Sequence, residues 1–236
     1  YLPEDIDTGW SMRRMVEAVV EKVVNIHQSG IHGDVLVFMA GKDDINLVID
    51  GLEKRGFSDL VALPAYGGLS PEEQDRIFFS YPGKRKVVVA TNIAETSITI
   101  DGVFYVVDSG LIKQTSFHPE SGVQTLDTVL HSKAGCDQRK GRAGRTQPGV
   151  CYRMYTEENF RNRPEYTESE IRRRSIAGVV LTMESIGIKE IENFEFIDPP
   201  DREAFGEAYG TLIALGAIAE NRQGITELGK RMVRLP

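Results

Sequence analysis

Long apolar runs are missing from these 236 residues: none approaches the roughly 18 to 20 consecutive apolar side chains that span a bilayer, so no membrane partner is expected. The opening residues, Tyr1-Leu2-Pro3-Glu4-Asp5, lack the basic-then-apolar order of a secretory signal. Cysteine is scarce as well. Cys136 and Cys151 form no C-x-x-C pair and are too few for a disulfide framework or a structural zinc site. Both are expected to be reduced, no metal site is expected, and the chain is expected inside the cell, cytoplasmic or, in a eukaryote, nuclear. A basic surplus is absent: 28 Lys and Arg against 35 Asp and Glu give a net charge of −7, which offers nucleic-acid phosphates no general attraction. Nor is there a G-x-x-x-x-G-K-[ST] stretch. The pairs Gly41-Lys42, Gly83-Lys84 and Gly229-Lys230 lack the upstream glycine and following hydroxyl, which excludes a self-sufficient phosphate loop.

What is present is a regular alternation of strand and helix signals. Met12, Met15, Val16, Val19, Val20, Val23 and Val24 have the three-and-four spacing of an amphipathic helix over 10–28, which Gly30 ends. Asp34 to Met39 is too densely apolar for a one-sided strand, and a helical pattern follows from Asp43 to Lys54. Leu60 to Leu63 form the next strand, and Ser70-Pro71-Glu72-Glu73 reads as a helix start with a capping box and proline in the first turn. Lys86 to Ala90, Val103 to Asp108 and Val150 to Tyr155 are further strands. The fold class is therefore α/β, a parallel sheet flanked by helices. Residues Leu111 to Leu130 break the rhythm: polar and apolar residues alternate on either side of Pro119-Glu120-Ser121-Gly122, as in a projecting β-hairpin. Helical patterns near 168–185 and 203–215 suggest a small, mainly helical domain behind a boundary at 157/158, giving domains 1–157 and 158–236.

Two stretches carry chemistry. In Gln138-Arg139-Lys140-Gly141-Arg142-Ala143-Gly144-Arg145, helical spacing puts Gln138, Arg142 and Arg145 on one face. That face offers an amide able to orient water and two guanidinium forks able to meet the spread charge of a phosphoryl group. The plain alternative is a solvated basic helix end. The second stretch, Thr91-Asn92-Ile93-Ala94-Glu95-Thr96-Ser97, follows directly on a buried strand, where open α/β sheets bind ligands. Thr99, Asp101 and Gly102 then lead into the next strand with groups suited to ribose hydroxyls. A capped loop is the competing explanation.

Taken together, T-N-I-A-E-T-S-I-T-I-D-G from Thr91, V-V-D-S-G from Val106, Q-R-K-G-R-A-G-R-T from Gln138 and G-D-V-L-V-F-M-A-G from Gly33 resemble the DEAH-box RNA helicases of superfamily 2. The R-P-E-Y at Arg163, I-D-P-P-D at Ile197 and I-T-E-L-G-K at Ile225 resemble that family's winged helix, so the likeness covers nearly the whole chain. The R-K-G-R and R-P-E-Y variants look most like bacterial members.

The resemblance implies a second RecA-like domain followed by the start of a winged helix. It implies that Gln138 positions the hydrolytic water and that Arg142 and Arg145 act as arginine fingers. Ser97, Thr99 and Asp101 resemble residues around the ribose, and Phe78 the aromatic under the adenine, though spacing alone equally fits a core phenylalanine. Gly41 through its amide, Thr91, Asn92 and the hairpin residue Lys113 resemble contacts to the backbone of single-stranded RNA, which are blind to sequence. ATP with Mg2+ is implied, the magnesium being held by a first RecA-like domain that this chain, lacking D-E-A-H, does not include. The chain alone is expected to be inactive; with its partner domain it is expected to drive 3′-to-5′ translocation on RNA. A scaffold from a degenerate helicase and a DNA helicase of the same superfamily are the competing readings.

Overall fold

The computed structural model describes residues 1–2, 11–96, 99–118, 123–144, 148–221 and 224–235. It divides into two compact units, Tyr1–Gln114 with Thr128–Thr167, and Thr115–Asp127 with Glu168–Pro236.

The first unit opens with helix α1 (Met12–Gln28) and continues as β1 (Asp34–Phe38), α2 (Lys42–Glu53), β2 (Leu60–Ala65), α3 (Pro71–Asp75), a 3-10 turn at Arg76–Phe78, β3 (Arg85–Ala90), α4 (Ile93–Thr96) and β4 (Val103–Asp108). The hairpin strands β5 (Leu111–His118) and β6 (Val123–Leu130) come next, then α5 (Lys133–Lys140), β7 (Val150–Arg153) and α6 (Glu157–Arg161). The five strands order as β2-β3-β1-β4-β7 and every neighbouring pair is parallel. Both sheet faces are buried, which explains the near-continuous apolar runs of its central strands. Val35, Val37, Val87, Val89 and Val107 pack on α1 and α2, while Leu36, Phe38, Val88, Ala90 and Val106 pack beneath Ile77, Ala94 and Ala143. It is this second face that carries the motifs.

Local signals act as the side chains require. Gly30 takes a positive φ of 71° just beyond α1. The Ser70 hydroxyl accepts the Glu73 N–H at 3.3 Å and the Glu73 carboxylate accepts the Ser70 N–H at 3.0 Å, as the capping box predicts. That helix nonetheless lasts only five residues before tightening into the 3-10 turn.

The second unit holds α7 (Glu170–Arg173), α8 (Ala177–Ser185), α9 (Arg202–Ala214) and α10 (Glu227–Met232) around a core of Val180, Leu181, Phe205, Tyr209, Leu212 and Ile218. An isolated antiparallel bridge joins Ile218 to Ile225. The tip of the hairpin, Thr115–Asp127, belongs to this unit, and Arg173 donates to the Thr115 carbonyl at 3.0 Å.

The units part at Thr167/Glu168, ten residues beyond the expected 157/158 boundary. Hydrogen bonds explain the difference. Arg163 donates to the Gly110 carbonyl at 2.8 Å, the Lys133 and Ala134 N–H groups donate to Pro164 and Glu165 carbonyls at 2.9 and 3.0 Å, and Thr167 bonds Ser132 at 3.1 Å. These tie 163–167 to the first unit. Among the described residues no helix is long and apolar enough to cross a membrane.

Candidate nucleotide and nucleic-acid edge

The parallel strands bring their carboxyl ends to one edge of the first unit. Gly41 follows β1 there and Thr91-Asn92 follow β3. Thr91 is half-buried, its N–H donating to Ala65 at 3.1 Å, and Asn92 is exposed. Lys113 of β5 joins them: its Cε and Nζ lie 2.6 and 2.9 Å from where a Cβ on Gly41 would stand. The expectation that Gly41 offers its amide is corrected. Its N–H already donates to the Asp44 carboxylate at 3.1 Å, which leaves the ammonium of Lys113 as the cation at this spot. Burial pushes the Asp44 carboxyl up, against the opposing effects of that hydrogen bond and of Lys113.

Thr99 and Asp101, both exposed, are not gathered with Thr91 and Asn92. The Asp101-Gly102 turn precedes β4, and the Gly102 carbonyl accepts the Asp34 N–H at 2.8 Å, so Asp101 flanks the opposite, amino end of the sheet. Ser97 and Arg145 lie outside the described residues.

Phe78 is no core residue: 52% of it is exposed. It borders a depression of about 230 Å³ with Ala65, Tyr66, Pro71, Gln74 and Ile93. The turn that presents it is fastened from below, because the buried Lys86 ammonium donates to the Ile77 carbonyl at 2.8 Å and the Phe79 carbonyl at 3.3 Å, one on each side of Phe78.

On α5 the helix-face expectation needs correction. The helix ends at Lys140, with Gly141 as its cap, so Arg142 sits in the turn beyond it, its N–H donating to the Arg139 carbonyl at 3.0 Å. Gln138 is exposed. Arg142 is half-buried and its guanidinium donates to the backbone carbonyl of Glu95 at the end of α4. The two motif stretches therefore meet.

The residue that joins them was missed in the sequence. Arg139 is fully buried, its Nε donating to Glu95 Oε1 at 2.7 Å, its Nη1 to Asp108 Oδ1 at 2.7 Å and its Nη2 to the Leu111 carbonyl at 3.1 Å. Its guanidinium lies 4.8 Å from the centre of the Phe38 ring. Asp108 also accepts the Gly110 N–H and the Tyr155 hydroxyl, each at 2.8 Å. Burial alone would raise the Asp108 carboxyl, but the Arg139 charge and these hydrogen bonds outweigh it and hold it below the ordinary carboxylate range. Burial of the Tyr155 phenol, with the Asp108 charge beside it, pushes that group far up, so it stays a donor. The signal was available. Arg139 lies three residues after Cys136 and four before Ala143, both buried, a spacing that puts this arginine on the inward face of α5. A carboxylate ending the apolar run of β4 also requires a buried cation.

Among the described residues no cluster of His, Cys, Asp and Glu could hold a metal ion.

The helicase conserved C-terminal domain family matches residues 16–147, and the winged-helix helicase-associated domain family matches 208–236. The chain belongs to the helicase conserved C-terminal domain family. It is 42% identical over 235 residues to a probable ATP-dependent RNA helicase, the DHX35 homolog of Caenorhabditis elegans, covering 97% of this chain and 32% of that protein. It is also 42% identical over 231 residues to the pre-mRNA-splicing factor ATP-dependent RNA helicase prp22 of Schizosaccharomyces pombe, covering 94% of this chain and 20% of that one. The crystal structure of the E. coli DExH-box NTPase HrpB superposes with a TM-score of 0.83 at 30% identity, over 98% of this chain and 28% of that one. The chain accordingly spans a third or less of the length of these relatives.

Proposed function

We propose that this chain is the second RecA-like half, with winged-helix residues behind it, of an ATP-driven RNA helicase of the DEAH-box kind. The observation that carries the reading is the meeting of the two motifs: Arg142 on the Glu95 carbonyl, with Thr91 and Asn92 one turn earlier on the same segment. One short element thereby borders both a phosphate-directed arginine and groups suited to a nucleic-acid backbone. ATP is the substrate, bound between the first unit and a first RecA-like domain that would supply the phosphate loop and hold the magnesium, whose charge would neutralise the β- and γ-phosphates. Arg142, with Arg145, meets charge developing on the γ-phosphoryl group, and Gln138 orients the attacking water. Thr99, Asp101 and Ser97 are assigned to the ribose. Lys113, Thr91 and Asn92 hold single-stranded RNA by its backbone, without regard to sequence. Closure and reopening of the two halves move the strand, in the 3′-to-5′ direction that the family likeness suggests. An intracellular setting is part of this reading, with both cysteines reduced; burial pushes the Cys151 thiol up to about 12 and raises that of Cys136.

The test is ATP turnover by the intact protein with and without single-stranded RNA. Stimulation by RNA is expected, together with no measurable turnover from residues 1–236 alone. An intact protein that binds RNA but never turns over ATP is the scaffold of the alternative reading; stimulation by DNA and not RNA identifies a DNA motor.

Phe78→Ala tests the adenine assignment separately. An exposed side chain off the core contributes within about 0.5 kcal/mol to stability, so the thermal midpoint should hardly move. The KM for ATP should rise several-fold, as loss of a stacking face weakens ground-state binding. An unchanged KM removes Phe78 from the site.

A further inference from the structure

We propose that Glu95 is a positioning residue that couples nucleic acid at Thr91 and Asn92 to the placement of Arg142. The proposal rests on the RNA-motor reading above and extends it to a residue with no assigned role.

Glu95 makes contacts in three directions. Its N–H donates to the Asn92 carbonyl at 3.0 Å, so it is one hydrogen bond from the segment assigned to the RNA backbone. Its own carbonyl accepts the Arg142 guanidinium. Its buried carboxylate accepts Arg139 Nε at 2.7 Å. The ring of His131 stands nearby, Nε2 being 3.2 Å from Glu95 Oε1 but without the alignment of a hydrogen bond.

Arg139 is what gives these contacts a fixed frame. Its fork is planar, and Glu95, Asp108 and the Leu111 carbonyl use all three of its nitrogens. Asp108 ends β4, and Leu111 begins the strand that carries Lys113 two residues later. The junction therefore touches both segments assigned to RNA, α4 and β5, and bonds the residue that seats Arg142. A four-residue helix has no rigidity of its own. Without the carboxylate, α4 and the carbonyl on which Arg142 rests lose their reference to the sheet.

Glu95→Gln keeps the size and an acceptor oxygen but removes the charge that faces Arg139. Arg139→Lys keeps the charge but reaches one partner in place of three. Both variants of the intact protein are to be assayed for ATP turnover against concentration of a single-stranded oligouridylate, well below their thermal midpoints. The expected result is a fall of about 10- to 100-fold in RNA-saturated kcat, the scale of a misplaced reacting group. The RNA concentration at half-stimulation and the KM for ATP should stay within about twofold of wild type, since neither residue touches either ligand. The double variant should lose little more than the single ones, because both act through one junction.

Wild-type kcat in either soluble variant overturns the proposal. So does a loss of RNA affinity that matches the loss of kcat, which assigns Glu95 to holding the RNA loop only. If Glu95→Gln does not fold, Arg139→Lys carries the test. A wild-type protein without RNA-stimulated turnover removes the underlying reading, and this coupling with it.

Discussion

Arg142→Ala in the intact protein should lower RNA-stimulated ATP turnover by about 10³-fold or more while leaving RNA affinity nearly unchanged. The magnitude is that of an arginine finger, which stabilises charge in the transition state and contributes roughly 10³ to 10⁵ in kcat. The selectivity follows from position. Arg142 is half-buried against the end of α4, whereas the groups assigned to RNA precede that helix or sit on β5. Arg142→Lys should fall between the two, because an ammonium keeps the charge but loses the planar fork. Steady-state turnover at saturating RNA, set beside an RNA-binding isotherm for each variant, checks the prediction. A variant with unchanged kcat takes Arg142 out of the site.

Arg139→Met should cost stability above all. The substitution leaves Asp108 and Glu95 buried without their cation, and breaking a buried pair in this one-sided way costs about 3 to 5 kcal/mol. For a chain of this size that is a fall of roughly 6 to 20 °C in the thermal midpoint. The dependence on pH carries a sign. In the wild type the Asp108 carboxyl lies below its ordinary value, so its contribution is present above the unfolded value of about 3.9 and is lost as pH falls through the lower folded value. Without the guanidinium, burial raises the same carboxyl above its unfolded value. The variant's penalty is then small where the group is protonated and grows as pH rises. Thermal melts at about pH 5 and pH 8 should therefore show the wider gap between wild type and variant at the higher pH. An equal gap at both would mean that Asp108 finds another partner.

These two arginines show how far the residues themselves could be read. The sheet was legible because apolar runs of four to six residues alternate with three-and-four spacing, and packing on both faces demands that pattern. Arg142 was singled out by its neighbours in the motif, and the turn that carries it meets Glu95. The helix on which it was expected stops early, since Gly141 caps α5 and helical spacing says nothing of where a helix ends. Arg139 was overlooked because a basic run reads as surface when charge is counted without phase. The amide of Gly41 was misassigned for a related reason: the competing acceptor, Asp44, lies three residues on, inside the same local turn. The boundary was set short because the ties of 163–167 run to residues 31 to 53 positions away, such as the Gly110 carbonyl, where no local pattern reports them.

The buried Lys86 has a consequence for recognition at Phe78. By bonding the carbonyls of Ile77 and Phe79, it removes from the turn the conformational freedom that an exposed aromatic on a loop ordinarily loses when a ligand stacks against it. A flat ring arriving at Phe78 meets a platform already held in place, so little ordering entropy opposes its binding. In the adenine site proposed for Phe78, a lysine that never touches the ring would set how much of the stacking attraction is left to appear as affinity.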